Sequence, residues 1–197
     1  MQLGLGTGTF DTTIRFEGDR DVDVEMSSVS VSGAWLINEQ WSVRAAGGIL
    51  TGGKLVPGKG MTHDVDSGGL AAVGGEYRAL AGDRGVPYVD LSLTLGWSWA
   101  KTVASGATDK TDYSAFDTRL GGRAGWLING KFFPYGAVRI FGGPVNWELD
   151  GEDVTGSDIH HYQIALGASY QVGPVGIYAE WAGLGEKAFS AGLSAVW

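Results

Sequence analysis

A chain of 197 residues with 34 glycines and 8 tryptophans is one domain by length, and it is not a helical bundle, because each interior glycine costs a helix about 1 kcal/mol relative to alanine. The absence of cysteine excludes disulfides, thiolate metal sites and thiol nucleophiles, and a formal charge of −8 disfavours nucleic acid as a partner. No run of about 18 apolar residues is present, so no membrane-spanning helix is expected, and the start Met1-Gln2-Leu3-Gly4 lacks a basic and apolar leader, so any secretion signal is expected to have been removed or replaced.

Turn residues divide the chain into about ten strands. In order they span 2–17, 20–37, 40–52, 65–80, 87–103, 112–128, 131–148, 158–172, 174–184 and 186–197. The first carries Gly4-Leu-Gly6-Thr-Gly8, whose spacing is not that of a nucleotide loop; it reads as a strand that needs curvature and close packing. The tetrapeptides Trp35-Leu-Ile-Asn38 and Trp126-Leu-Ile-Asn129 echo one another before turns, which suits aromatic anchoring beside a polar turn as well as duplication. Alternation is clearest in 87–103, where Val89, Leu91, Leu93, Leu95, Trp97 and Trp99 share one face and Asp90, Ser92, Thr94, Gly96 and Ser98 the other. It recurs at Tyr162, Ile164, Leu166, Ala168 and Tyr170, and at Phe189, Ala191, Leu193, Ala195 and Trp197.

The links differ in length. Residues 37–40, Asn129-Gly130 and Gly173-Pro174 are tight turns and 81–86 is moderate, whereas 51–64, 104–111 and 149–157 are long and polar, so one end of the sheet has short turns and the other long loops. An all-β, closed antiparallel up-and-down transmembrane β-barrel over 1–197 fits this pattern, with about ten strands, or eight or twelve as alternatives. The competing architecture is a soluble lipocalin-like barrel or sandwich. Strands tilted ~40° climb about 2.5 Å per residue, so aromatics about ten residues apart on one face mark the two edges of a ~25 Å band. Trp35, Trp41, Trp126 and Trp197 belong to the girdle near the short turns, and Trp97, Trp99, Trp147 and Trp181 to the girdle near the loops.

Placing the polar face inside puts Arg44, Glu76, Arg78, Asp90, Asp117, Arg119, Arg123, Arg139 and Glu180 in the lumen. Of these, Arg44, Glu76, Arg78, Arg123 and Glu180 share a depth, and Arg78 falls opposite or diagonal to Asp90. Such a belt either fills a narrow lumen as ion pairs or lines a wet constriction. The other end is acidic: Glu17, Asp19, Asp21, Asp23, Glu25, Asp64, Asp66, Asp109, Asp112, Glu148, Asp150, Glu152, Asp153 and Asp158 form an expected external rim. That rim is either a solvated repulsive surface or a place where divalent cations bridge to lipopolysaccharide phosphates; Asp150-Gly-Glu-Asp153 lacks EF-hand spacing. His160 and His161, adjacent on a strand, point to opposite faces and do not chelate one metal. With His63 they are the only histidines, and no G-x-S-x-G elbow is present, so no catalytic residue, metal or cofactor is expected.

The terminal stretch Ala188-Phe-Ser-Ala-Gly-Leu-Ser-Ala-Val-Trp197, alternating and ending on an aromatic, resembles the C-terminal strand signal of bacterial outer-membrane β-barrel proteins. The resemblance implies that Trp197, where phenylalanine is commoner, is read by the barrel-assembly machinery. The whole chain resembles small barrels of the OmpA and OmpX type, with more strands than their eight, which implies an outer-membrane location with lipid bilayer and lipopolysaccharide as surroundings. The expected function is a narrow porin-like pore or passive permeability element. The alternative is a non-conducting structural or adhesion-type barrel acting through external loops, and an outer-membrane hydrolase is the third reading.

Overall fold

Twelve antiparallel strands make up the computed structural model, which describes residues 1–82, 85–149 and 151–197. They are β1 (Gln2–Phe16), β2 (Arg20–Leu36), β3 (Trp41–Pro57), β4 (His63–Leu80), β5 (Tyr88–Ala104), β6 (Lys110–Gly125), β7 (Phe132–Gly142), β8 (Val145–Leu149), β9 (Glu152–Asp158), β10 (Tyr162–Val172), β11 (Val175–Gly185) and β12 (Lys187–Val196). Strands β1 to β7 pair in order, β7 pairs with β10, β10 to β12 continue, and β12 returns to β1, so ten strands close a ring. The seam runs from Gln2↔Val196 to Asp11↔Lys187, and the chain ends exchange bonds, Met1 N to Trp197 O at 3.0 Å and Trp197 N to Met1 O at 3.1 Å. Closure removes the strand edges, which is how a sheet satisfies its backbone where water is absent.

The ten expected strands correspond to this ring, and β8 and β9 form a hairpin above it. β8 pairs with β6 and β9 with β1, so a second ring of eight strands, β1 to β6 with β8 and β9, closes at the outer end. Strand length explains the change. β1 to β6 run 15 to 18 residues, but β7, β10, β11 and β12 run 10 or 11. About ten residues cross a ~25 Å band, so the long strands rise above it and the hairpin fills the space over the short ones.

Three expected loops are therefore strand. The link 51–64 shrinks to 58–62, 104–111 shrinks to 105–109, and most of 149–157 is β9. Asp150, and Asp83 and Arg84 of the 81–86 link, lie outside the described residues. The single strand expected over 131–148 breaks at Gly143-Pro144: a side chain at Gly143 would meet the Phe116 carbonyl, and Phe116 N donates to Pro144 O at 3.0 Å. At the other end Asn129 and Gly130, expected in a tight turn, are both at positive φ (52° and 67°) in the turn that Ile128 and Phe132 close.

Polarity disguises the extra strand length, because the alternation inverts part-way along. In β2 the inward residues are Val22, Val24 and Met26, then Ser28, Ser30 and Ser32; the outward ones are Asp21, Asp23 and Glu25, then Val29, Val31 and Trp35. The half with an apolar outside suits lipid, and the half with a charged outside and an apolar inside follows the rule for a protein in water. Bulges also break the phase. Leu50 and Leu55 in β3 are both buried, an odd number of residues apart, because the register with β2 shifts at Ser27/Ser28.

Leu93, Leu166 and Leu193 lie exposed on the outward face within the apolar band. An Arg at any of them should cost ~2–4 kcal/mol near the midplane, and an Arg at the inward-facing Ser92 or Ser194 should cost less. Folding titrations into lipid vesicles measure both; equal tolerance on the two faces would contradict the assignment.

Candidate functional site

Inside the eight-stranded ring the lumen is filled. Ile14, Phe16, Val22, Val24, Met26, Leu55, Tyr113, Val145, Trp147, Leu149 and Val154 belong to one buried cluster. Trp147, 1% exposed, is the largest side chain in it. Its Nε1 donates to Thr102 Oγ1 at 3.1 Å, and its ring meets His63 edge-on at 4.8 Å and Phe16 at 5.9 Å. Trp147 therefore does not belong to the outer girdle, contrary to expectation: β8 stands above the apolar band, where the inward face is the apolar one. Trp97, Trp99 and Trp181 are exposed at that girdle, and Trp35, Trp41, Trp126 and Trp197 at the other.

Beneath the plug the inward faces change to glycine, serine and charge. Near the short turns Arg78 Nε meets Asp90 Oδ1 at 2.8 Å, directly opposite in register, and Arg123 Nη2 meets Asp90 Oδ2 at 2.7 Å. Glu76 receives Arg44 at 3.1 Å and Arg123 at 3.3 Å. The Arg123 guanidinium lies over Tyr135 at 5.3 Å and Tyr88 at 5.9 Å. A second network lies nearer the plug. Arg139 Nη1 meets Glu180 Oε1 at 2.8 Å and Gln163 Oε1 at 2.6 Å, and Gln163 Nε2 donates to Glu186 Oε1 at 2.9 Å. Arg119 holds Glu186 through two bonds, 2.8 and 3.0 Å, holds Asp117 at 2.5 Å, and lies 4.5 Å over the Phe141 ring.

All nine expected lumen charges face inward. Arg44, Glu76, Arg78 and Arg123 gather with Asp90, but Glu180 does not join them. Its row across the sheet is Gly167 and Tyr135, the Tyr135 ring occupies the space toward Arg123, and Arg139 takes the carboxylate instead. The charge missing from the sequence reading is Glu186, buried at the β11–β12 turn. It shares the phase of Ala188 and Ser190, so parity could have found it.

Asp158, expected on the rim, is buried facing inward, where it accepts the Thr12 hydroxyl and the His160 backbone N–H at 2.7 Å. The parity of β9, with Val154 and Gly156 inward, turns it there. His160 and His161 are not on a strand but in the β9–β10 link, with His160 Nδ1 3.7 Å from Asp158 Oδ1. Acids expected on the rim, among them Asp21 and Asp66, do project outward in exposed pairs, Arg15–Asp21 and Lys110–Asp66, that stabilise little.

Among the described residues, cavities remain between the filled end and the short turns. One of about 500 Å³ lies toward the short turns, lined by Gln2, Gly4, Ser30, Ser32, Glu76, Asp90 and Arg123, with Arg44 half exposed in it. Another, about 430 Å³, lies between the Arg139–Glu180 pair and the plug.

No protein-family model matches the chain, and no curated protein matches it. Solved structures do. The outer membrane protease OmpT from Escherichia coli is 14% identical, with 100% of this chain and 95% of that chain covered and a TM-score of 0.63. The translocator domain of the autotransporter NalP from Neisseria meningitidis is 12% identical, with 100% and 88% covered and a TM-score of 0.56. The transport unit of the autotransporter AIDA-I from Escherichia coli is 10% identical, with 100% and 90% covered and a TM-score of 0.53. The fold is that of the bacterial outer-membrane β-barrels, as the terminal strand implied. At these identities the likeness extends to the fold alone.

Proposed function

We propose that this protein is an outer-membrane barrel that does not conduct in its resting form and serves as a rigid surface element, holding an eight-stranded acidic extension outside the membrane. The observation that carries this reading is the plug: Trp147, Met26, Leu55, Val22 and Val24 are fully buried across the lumen, and a close-packed apolar layer passes neither water nor ions. The links at the outer end are short, so the working surface is the wall of the extension rather than long loops. Its surroundings are lipid at the apolar band and lipopolysaccharide at the Trp97 and Trp99 level, with the terminal strand ending at Trp197 recognised by the assembly machinery. The reading has no catalytic step; His63 packs inside the plug.

A gated narrow pore is the second reading, favoured by the two cavities below the plug. Planar-bilayer recording of the purified protein decides between them. An unbroken baseline over hours is expected, and stepwise openings in wild type would overturn the non-conducting reading.

A further inference from the structure

The two cavities differ in charge. The one near the short turns is balanced: Arg44, Arg123 and Arg139 face Glu76, Asp90 and Glu180. The upper one is not. Asp117, Asp158, Glu180 and Glu186 face it, against Arg119 and Arg139 alone. Asp117 and Glu186 share the Arg119 guanidinium, and Asp158 is held by a hydroxyl and a backbone N–H, which bond its charge without neutralising it. Even a charged His160, 3.7 Å from Asp158, would leave the acids in excess. Excess negative charge around a partly enclosed cavity raises the local concentration of cations and favours one that enters.

The rest of the wall specifies what kind of cation. Phe10, Leu70, Tyr113 and Phe141 line the same space beside hydroxyls such as those of Thr9, Ser28 and Ser190, so next to its carboxylates the wall offers apolar contact and aromatic faces, which a hydrated metal ion does not use. At about 430 Å³ the cavity falls within the ~300–1,000 Å³ of small-molecule sites. We infer that the upper cavity is a binding site for a small organic cation, an ammonium group on an apolar body, with the ammonium beside Asp117 and Glu186 and the body against Phe10, Leu70 and Phe141.

The test uses the folded barrel in lipid nanodiscs and three probes of one shape: 2-phenylethylammonium, 2-phenylethanol and phenylacetate, with affinities read by calorimetry. The ammonium should bind at least tenfold more tightly than the alcohol, and phenylacetate should not bind. Asp117→Asn, which leaves Arg119 its Glu186 partner, should weaken the ammonium about tenfold and leave the alcohol unchanged; Glu186→Gln is the second variant if the first fails to fold. Ala188→Phe fills the cavity and should abolish binding of both probes, with folding checked by a heat-dependent shift on a denaturing gel. Equal affinity for ammonium and alcohol would overturn the inference. So would ammonium binding that survives Ala188→Phe, or complete displacement by equimolar sodium.

Discussion

Trp147→Ala should lower the stability of the folded barrel by about 3–5 kcal/mol, the range for truncating a large buried aromatic, because the cavity it leaves is walled by a closed ring that cannot collapse around it. The indole also satisfies Thr102 Oγ1, which shares a 2.8 Å contact with Thr111 Oγ1, and packs against His63 and Phe16, so several neighbours lose contacts at once. Trp97→Ala is the matched control, since its ring lies outside at the girdle and lipid or headgroups replace it. Urea unfolding in vesicles should show a clearly larger loss for Trp147, and in planar bilayers only the Trp147 variant should leak. If the two losses are equal, Trp147 is not holding the plug. If the Trp147 variant stays silent, removal of this one ring does not open a conducting path.

Asp90→Asn should cost about 3 kcal/mol, near the low end for breaking a buried ion pair. Asp90 is nearly fully buried and receives both Arg78 and Arg123. Removing its charge leaves Arg123 with Glu76 alone and takes from Arg78 its carboxylate partner. Hydration of Arg78 keeps the loss from being larger, because its side chain is 43% exposed. Arg78→Gln in the Asp90→Asn background should restore part of the loss, since it removes the stranded cation. The experiment is a double-mutant cycle by urea unfolding, and additive losses would mean that the two groups are not coupled.

How much was legible follows from parity. Leu93, Leu166 and Leu193 face outward, and Arg44, Glu76, Asp90 and Arg139 face the lumen, as alternation predicts, because a strand cannot turn one residue without turning all its neighbours. Trp147 and Asp158 lie elsewhere than expected for different reasons. Trp147 has the odd phase of the inward Arg139, and its place in a girdle rests on the headgroup preference of tryptophan instead; Asp158 ends β9, a strand that the expected set does not contain. Glu186 heads the expected strand 186–197 in the inward phase of Ala188 and Ser190, so alternation carries its signal as well.

From the sequence alone come the ten strands of the wide ring, the short-turn end and nine of the charges that line the lumen. These are determined locally, since an apolar outward face is what lipid requires of every strand that crosses it. The tertiary structure decided three further things: that the barrel narrows from ten strands to eight, that its outer end is apolar inside, and that the charges divide into two networks with the excess acid in the upper cavity. Each depends on how far one strand rises beside another. That height is set by long-range register, such as β9 on Ile14 to Phe16 and β8 on Tyr113 to Ala115, and no local pattern within a single strand encodes it.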